Sequence, residues 1–513
     1  MSYFLRLGVN PVIINGNLTS SWVRAADWLP MPNTASEEFI GLLAVLTGSS
    51  NFVALSASGS YQVDWGDGNI NTYSASQVAE HSHSYEAISA SSYSSGSNYG
   101  RGGPGPFPYR QVLIHVTPSG SGVHLNTISL QKKHSRSTLP TLVNTLWLDL
   151  AIGGSFLSTV TIGGTTPVIL STLERVNMSD TSISLITSFS GIFRNCISLQ
   201  SASLFNTNGI VTNFLNMFNG CNSLQSAPMF GTISGSNFSS MFQGCTSLQY
   251  IPQYNTQNGT NFTSMFQDCH CLQTIPLLNT ISGTSFPSMF QGCTNLTYVP
   301  LINTQTGNAF SSMFNGCVSL QSIPLLNTQN GTTFASMFTG CTALQTVPLL
   351  NTISGTTFAS MFITCTSLQS VPLFNTSNGT TFTSMFNGCT SLQSVPLLNT
   401  ISGTTFTSMF NGCTSLQTLP SFNLLFATAS GVLANMVTGS TQLKSAAFSG
   451  SQSTIDYTGC SLARTELVAI FNNLRNTGSA LCSITCSLNH GTVDLTAADT
   501  ASVINKGWTI KTS

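Results

Sequence analysis

The sequence predicts a β-rich α/β solenoid, a stack of strand–helix units of about 24 residues, preceded by a small all-β domain. Three observations carry this reading. Nine cysteines (Cys221, Cys245, Cys269, Cys293, Cys317, Cys341, Cys365, Cys389 and Cys413) follow one another at intervals of 24 residues, and Cys196 precedes them by 25. Inside each unit the apolar spacing is first helical and then strand-like. Only 6% of the 513 residues are charged, against roughly 25% in ordinary soluble domains, so the surface of such a stack is neutral and polar.

The repeat unit reads TTFTSMFNGCTSLQSVPLLNTISG around Cys389. Phe406, Met409, Phe410 and Cys413 stand at i, i+3, i+4 and i+7, one face of a short helix. Thr404 or Thr405 can cap its start and Gly412 can end it. Leu392, Val395 and Leu397 then give the L-x-x-V-x-L spacing of a strand. A unit this small cannot bury its own apolar side, so it must stack on copies of itself. A weaker outer period shows in the linker, which reads ISG at Ile233, Ile281, Ile353 and Ile401 and QNG, QTG or SNG in most of the copies between, as past duplication of a 48-residue pair would leave it.

Five segments follow from these patterns. Residues 1–45, with Trp22 and Trp28, read as a docking segment. Residues 46–130 alternate in NFVALSA, SYQVDWGDG and QVLIHVTP, as an antiparallel β-domain does, around a Gly/Ser/Pro-rich loop at 91–108. Residues 131–195 form a bridging segment and N-terminal cap. The solenoid spans 196–445, ending in a degenerate coil where Ser440 replaces cysteine. The C-terminal cap, 446–513, is expected to hold a helix with Leu467, Ile470, Phe471 and Leu474 on one face, a strand near Ile484, and a helix from Thr496 to Lys506 that leads through Gly507 to Trp508.

Charge excludes several functions. A net charge of −1 without basic runs offers phosphates no counterion-release term, so nucleic acid is not an expected partner. No stretch approaches ~18 consecutive apolar residues, so membrane insertion is not expected. The N-terminal sequence lacks the basic and apolar regions of a secretory leader. Between residues 201 and 420 Asp268 is the sole formally charged side chain and His270 the sole histidine, so no acid pair or nucleophilic triad can assemble there. The expectation is a non-enzyme without cofactors.

Two motifs carry resemblances. VDWGDG at 63–68, with His81-Ser-His-Ser-Tyr85 and the strand 111–117 after it, resembles PKD-type domains. These are Ig-like β-sandwiches that serve as spacers or binding modules. The repeat MFxGCxSLxxxPxLNT resembles the BspA-type leucine-rich repeats of microbial surface proteins, although Asn399 stands one position earlier than the family's asparagine. The whole arrangement resembles large uncharged proteins of tailed bacteriophages, marine ones especially. That resemblance implies a structural or adhesive virion protein, in fibre, tail or capsid surface. Its partners would be identical chains or other virion proteins, with a host receptor or glycan beyond them. A bacterial cell-surface adhesin is the alternative, and a glycan-active enzyme the third reading.

Each candidate site has a packing alternative. The spaced cysteines are expected as small buried hydrophobes, and Asp268-Cys-His-Cys271 as coil positions before a zinc site. Cys482 and Cys486 could pair with each other or with Cys460. Asp64 and Asp67, with His81 and His83 downstream, either bond their own turn or bind calcium. If Val395 and Leu397 face inward, an apolar row faces out: Phe205, Phe230, Tyr254, Leu278, Ile302, Leu326, Leu350, Phe374, Leu398 and Phe422. Such a row is either an interface, with an identical chain, a virion protein or a receptor, or it is buried by a proline-induced shift of phase.

Overall fold

The computed structural model describes residues 11–14, 17–20, 23–26, 28–34, 37–47, 51–88, 93–94, 109–137, 146–163, 170–178, 185–203, 209–446, 448–477 and 482–512. Phe205, Trp22 and the 91–108 loop apart from 93–94 lie outside the described residues. Two compact units emerge: Met1–Gly259 with Asp268–Leu272, and Thr260–Gln267 with Gln273–Ser513.

The first unit begins with an antiparallel pair, β1 (Pro11–Ile14) and β2 (Asn17–Ser20). Strands β3 (Phe39–Leu46), β4 (Asn51–Ala57), β5 (Tyr61–Asp64), β6 (Ile70–Tyr73), β7 (Val78–His83), β8 (Tyr93–Ser94), β9 (Tyr109–Pro118), β10 (Thr127–Ser129), β11 (Trp147–Ile152), β12 (Thr159–Thr161), β13 (Arg175–Asn177) and β14 (Ser201–Ala202) follow. They make two sheets. One has the order β14-β13-β11-β3-β9-β5-β6, with β8 also on β9, and the other has the order β12-β10-β4-β7.

The sheets run across two of the expected segment boundaries. Strand β3, FIGLLAVL, is buried at every position but the last and pairs with both β9 and β11. A strand covered on both faces reads as a continuous apolar run, so residues 39–45 belong to the sheet and not to a docking arm. An Ig-like sandwich closed at residue 130 is not what the chain builds either. Strand β11 pairs antiparallel with β3 but parallel with β13, and β13 pairs parallel with β14. Likewise β10 pairs antiparallel with β4 and parallel with β12. The bridging segment thus converts hairpin pairing into the parallel stacking that a coil requires.

The coils of the first unit pack Phe193, Phe218 and Phe242 face to face, with centroids 5.1 and 5.5 Å apart. Cys221, Cys245 and Cys269 each donate Sγ–H to the carbonyl of Phe193, Phe218 and Phe242, at 3.1 Å.

The second unit repeats that design. Phe262, Phe286, Phe310, Phe334, Phe358, Phe382 and Phe406 form one column at 5.3–5.9 Å, while Phe266, Phe290, Phe314, Phe338, Phe362, Phe386 and Phe410 form another at 5.4–5.7 Å. Cys413 donates to Phe386 O at 3.0 Å, and Ser440 makes the equivalent bond to Phe410 O at 2.8 Å. Thr352, Thr376 and Thr400, all buried, donate to the carbonyls of Asn375, Asn399 and Asn423 at 2.7–2.8 Å.

The short helix expected in each coil is absent from the described coils, although its inward residues are right. Phe406, Met409, Phe410 and Cys413 are all fully buried. Successive N–H groups, however, take two directions. Those of Phe406, Ser408, Phe410 and Gly412 bond carbonyls of the next coil (Val432, Ala434, Met436 and Thr438), while Met409, Asn411 and Cys413 close local turns on the residue three back. Ser408 at φ 55° and Gly412 at φ 69° break any helical run. The unit is therefore a coil of turns and isolated parallel bridges such as Thr381↔Thr405, in a β-solenoid with little helix.

Past the coils, β15 (Ile455–Asp456), α1 (Arg464–Asn473), β16 (Cys482–Thr485), α2 (Ala497–Ile504) and β17 (Trp508–Lys511) close the second unit. Leu467, Ile470, Phe471 and Leu474 are buried, and Thr496 caps α2 reciprocally with Asp499. The order β15-β16-β17 is all parallel. Tyr457 stacks on Phe448 and donates its hydroxyl to Ala446 O at 3.1 Å, joining cap to coil. Among the described residues no helix is long and apolar enough to cross a membrane.

Candidate functional site

The expected outward row faces inward. Phe230, Tyr254, Leu278, Ile302, Leu326, Leu350, Phe374, Leu398 and Phe422 are each at most 6% exposed. Inward positions in the coil are Leu392, Val395 and Leu398, a spacing of three and not two. Three residues is the period of a polyproline-type extended chain, and Pro396, which has no N–H to give a ladder and biases the residue before it, imposes it. The proline shift of phase buries the row, and the residue before each row member turns outward instead.

That inversion exposes a different row. In the second unit Leu277, Leu301, Leu325, Leu349, Leu373 and Leu397 are 55–62% exposed. Together they leave on the order of 600 Å² of leucine surface open, at the top of what a monomer usually leaves to water. Ile281, Ile353 and Ile401, which open the ISG linkers of this unit, are exposed as well. In the first unit the equivalents are Met229 and Gln253, both exposed, so the leucine character belongs to the second. The sequence carries this row one residue before the expected one: leucine directly after proline recurs in six consecutive units.

Around this face the chain is electrically blank. Buried columns hold thiols, not reactive groups: burial pushes the Cys365 and Cys413 thiols up to about 12, and Cys341 and Cys389 well above the ordinary thiol range. Cys269 is a buried coil position and Cys271 is half-buried, neither bonded to another cysteine. Cys460, Cys482 and Cys486 are free thiols too, with Cys482 Sγ donating to Gln452 O at 2.8 Å.

The WGDG turn is the second chemically distinct place. Strands β5 and β6 pair as a hairpin whose turn sets Gly66 at φ 74°, and a Cβ there would lie 2.4 Å from Leu113 O. Asp64 Oδ1 accepts from Gly66 N at 2.9 Å and Asp67 Oδ1 from Asn69 N at 3.1 Å, so both aspartates bond their own turn. Asp67 Oδ2 is left for His81 Nε2, at 2.6 Å. Burial opposes ionisation of Asp67, but the bonds from His81 and Asn69 outweigh it and hold the carboxyl below its usual range. The His81 ring stacks on the buried indole of Trp65 at 4.9 Å, and His83 Nε2 lies 2.8 Å from Trp65 O. Burial pushes His83 below the ordinary imidazole range.

Comparisons with known proteins concern the coils. Residues 170–276, 236–349 and 308–423 match a family model described as Mycoplasma protein of unknown function, DUF285. No curated protein matches the chain. Among solved structures, a leucine-rich repeat protein from Eubacterium ventriosum aligns at 14% identity over 60% of this chain and 90% of its own, with a TM-score of 0.31. The TLR13–ssRNA13 complex aligns at 16% identity over 66% of this chain and 50% of that chain (TM-score 0.22), and the plant peptide hormone receptor RGFR1 in complex with RGF2 at 15% over 70% and 67% (TM-score 0.23). The coils so matched, residues 170–423, are those of the solenoid with its 24-residue period and stacked phenylalanine columns.

Proposed function

We propose that the chain is a non-enzymatic structural and adhesive repeat protein that works by contact at a surface, and that its leucine row mates with the same row of a second copy. The carrying observation is the uninterrupted exposure of Leu277, Leu301, Leu325, Leu349, Leu373 and Leu397 on a solenoid almost free of charge. Identical residues at a coil spacing of ~4.8 Å are self-complementary: a two-fold axis sets each leucine between two others. The open leucine area approaches the ~800 Å² per partner of a standard interface. A neutral contact of this kind is nearly indifferent to salt. The carrier surface is that of a bacterial cell, the family match being to Mycoplasma proteins, or that of a virion, which rests on the likeness of the overall arrangement to tailed-phage proteins.

Light scattering on the full chain, wild type against Leu325→Ser/Leu349→Ser/Leu373→Ser, tests this. The wild type should give a dimer insensitive to salt, and the variant a folded monomer. A wild type that stays monomeric at high concentration, or a variant that still dimerises, overturns it.

A further inference from the structure

We infer that Asp67, His81 and His83 form a binding site for a divalent transition-metal cation of the zinc class, with water completing the shell. One ligand atom from each of the three lies within 4.8 Å of those of the other two. Donors in a tetrahedral zinc shell stand roughly 3.3 Å apart, so closure asks for side-chain contraction and no new fold.

An independent observation on His83 points the same way. The residue is only 3% exposed, and its Nε2 lies 2.8 Å from Trp65 O. A carbonyl can only accept, so Nε2 carries the proton and the neutral ring keeps a bare lone pair on Nδ1. That Nδ1 is buried and has no hydrogen-bond partner. Buried acceptors are almost always satisfied. An imidazole with one nitrogen fixed by a backbone carbonyl and the other left open is the arrangement that orients a metal ligand.

His81 and Asp67 supply the other two donors. Their Nε2 and Oδ2 atoms share one proton across 2.6 Å. The cation takes the place of that proton, which passes to solvent, and spreads the two atoms to the shell distance. Asp67 Oδ1 stays on Asn69 and holds the carboxylate in position. The side chains of His81 and Asp67 are 17% and 8% exposed, which leaves the ion a way in. Two nitrogen donors out of three select zinc, cobalt or nickel over calcium, which takes oxygen. Asp64, engaged with Gly66, is outside the set.

Cobalt(II) alone, titrated into the chelator-stripped full chain and followed by visible absorption and calorimetry, tests the site and separates it from the fourteen cysteines. One equivalent should bind with the d–d bands of nitrogen and oxygen ligands and no thiolate charge transfer. His81→Gln and Asp67→Asn should each lower the affinity at least about 100-fold, and Asp64→Asn should not change it. Asn at position 67 can still accept from Asn69 N, so the turn survives, and tryptophan fluorescence checks it. Absence of saturable binding by the wild type, a thiolate band, or undiminished binding in folded His81→Gln overturns the assignment.

Discussion

Strands β3 and β9 and the coils of the second unit bury apolar residues by opposite means. From Phe39↔Val116 to Leu46↔Tyr109 the two strands keep eight consecutive antiparallel partners, so the backbone ladder fixes register and side chains follow it. A coil makes isolated bridges such as Thr333↔Thr357 and Thr357↔Thr381. Its register comes from side chains instead: two phenylalanine columns, a cysteine column and a threonine column whose hydroxyls and thiols bond backbone carbonyls. In a ladder, inside and outside alternate by necessity. In a coil they are set residue by residue, which is why neighbours can have opposite fates.

The sharpest way to break that comparison uses those neighbours. Leu326→Ser/Leu350→Ser/Phe374→Ser should unfold the coils, each site costing about 3–5 kcal/mol for the cavity with a stranded hydroxyl added. The same change one residue earlier, at 325, 349 and 373, should shift the stability of the monomer, compared at dilutions where no dimer forms, by less than about 1 kcal/mol per site. Urea denaturation of both triples decides it, and equal midpoints would refute the phase assignment.

Alkaline pH probes the columns next. The thiols of Cys365 and Cys413 are pushed up to about 12 from an ordinary value of 9.0. Above pH 9 the unfolded chain loses thiol protons that the folded chain keeps, so stability is intact below 9 and declines as pH rises toward 12. Each buried thiol contributes about 1.4 kcal/mol of loss per pH unit in that window. The urea midpoint should therefore fall steeply between pH 9 and 10; a flat profile would contradict the burial. In the native protein Ellman's reagent should reach Cys271 and Cys482 alone, the two cysteines that are not buried.

The smallest effect sharpens the role of the sulfur. Cys341 Sγ donates to Phe314 O at 3.0 Å, and Ser440 shows that a hydroxyl can do the same. Cys341→Ser should cost about 1 kcal/mol or less, whereas Cys341→Val, which removes the donor from a buried carbonyl, should cost about 2 kcal/mol. Thermal denaturation ranks the two, and a more stable Val variant would make the column purely hydrophobic.

Legibility divides along the same line. The period, the inward Phe, Met and Cys positions and the cap helices with their Thr496 start were readable, because spacing alone determines which residues share a side. Helix against turn was not readable: i, i+3, i+4, i+7 also fits a coil in which a left-handed serine sends alternate N–H groups to the next copy. The outward row was misplaced by one residue because Pro396 replaces a period of two by a period of three. Strand β3 was missed because it carries no alternation. At the WGDG turn the residues were found, but the bare nitrogen of His83 is a property of packing that no sequence displays.

The rungs that join each coil to the next include threonine bonds 23 and 24 residues long in sequence and cysteine bonds 27 long, and among the described residues these bonds of the second unit's coils join adjacent repeats. Excision or duplication of 24 codons therefore hands every threonine and cysteine a new partner of the same kind. A gene built this way can drift in length through unequal recombination without passing through an unfoldable product. Selection is then free to act on coil number itself, adding or removing one leucine of the exposed row at each step.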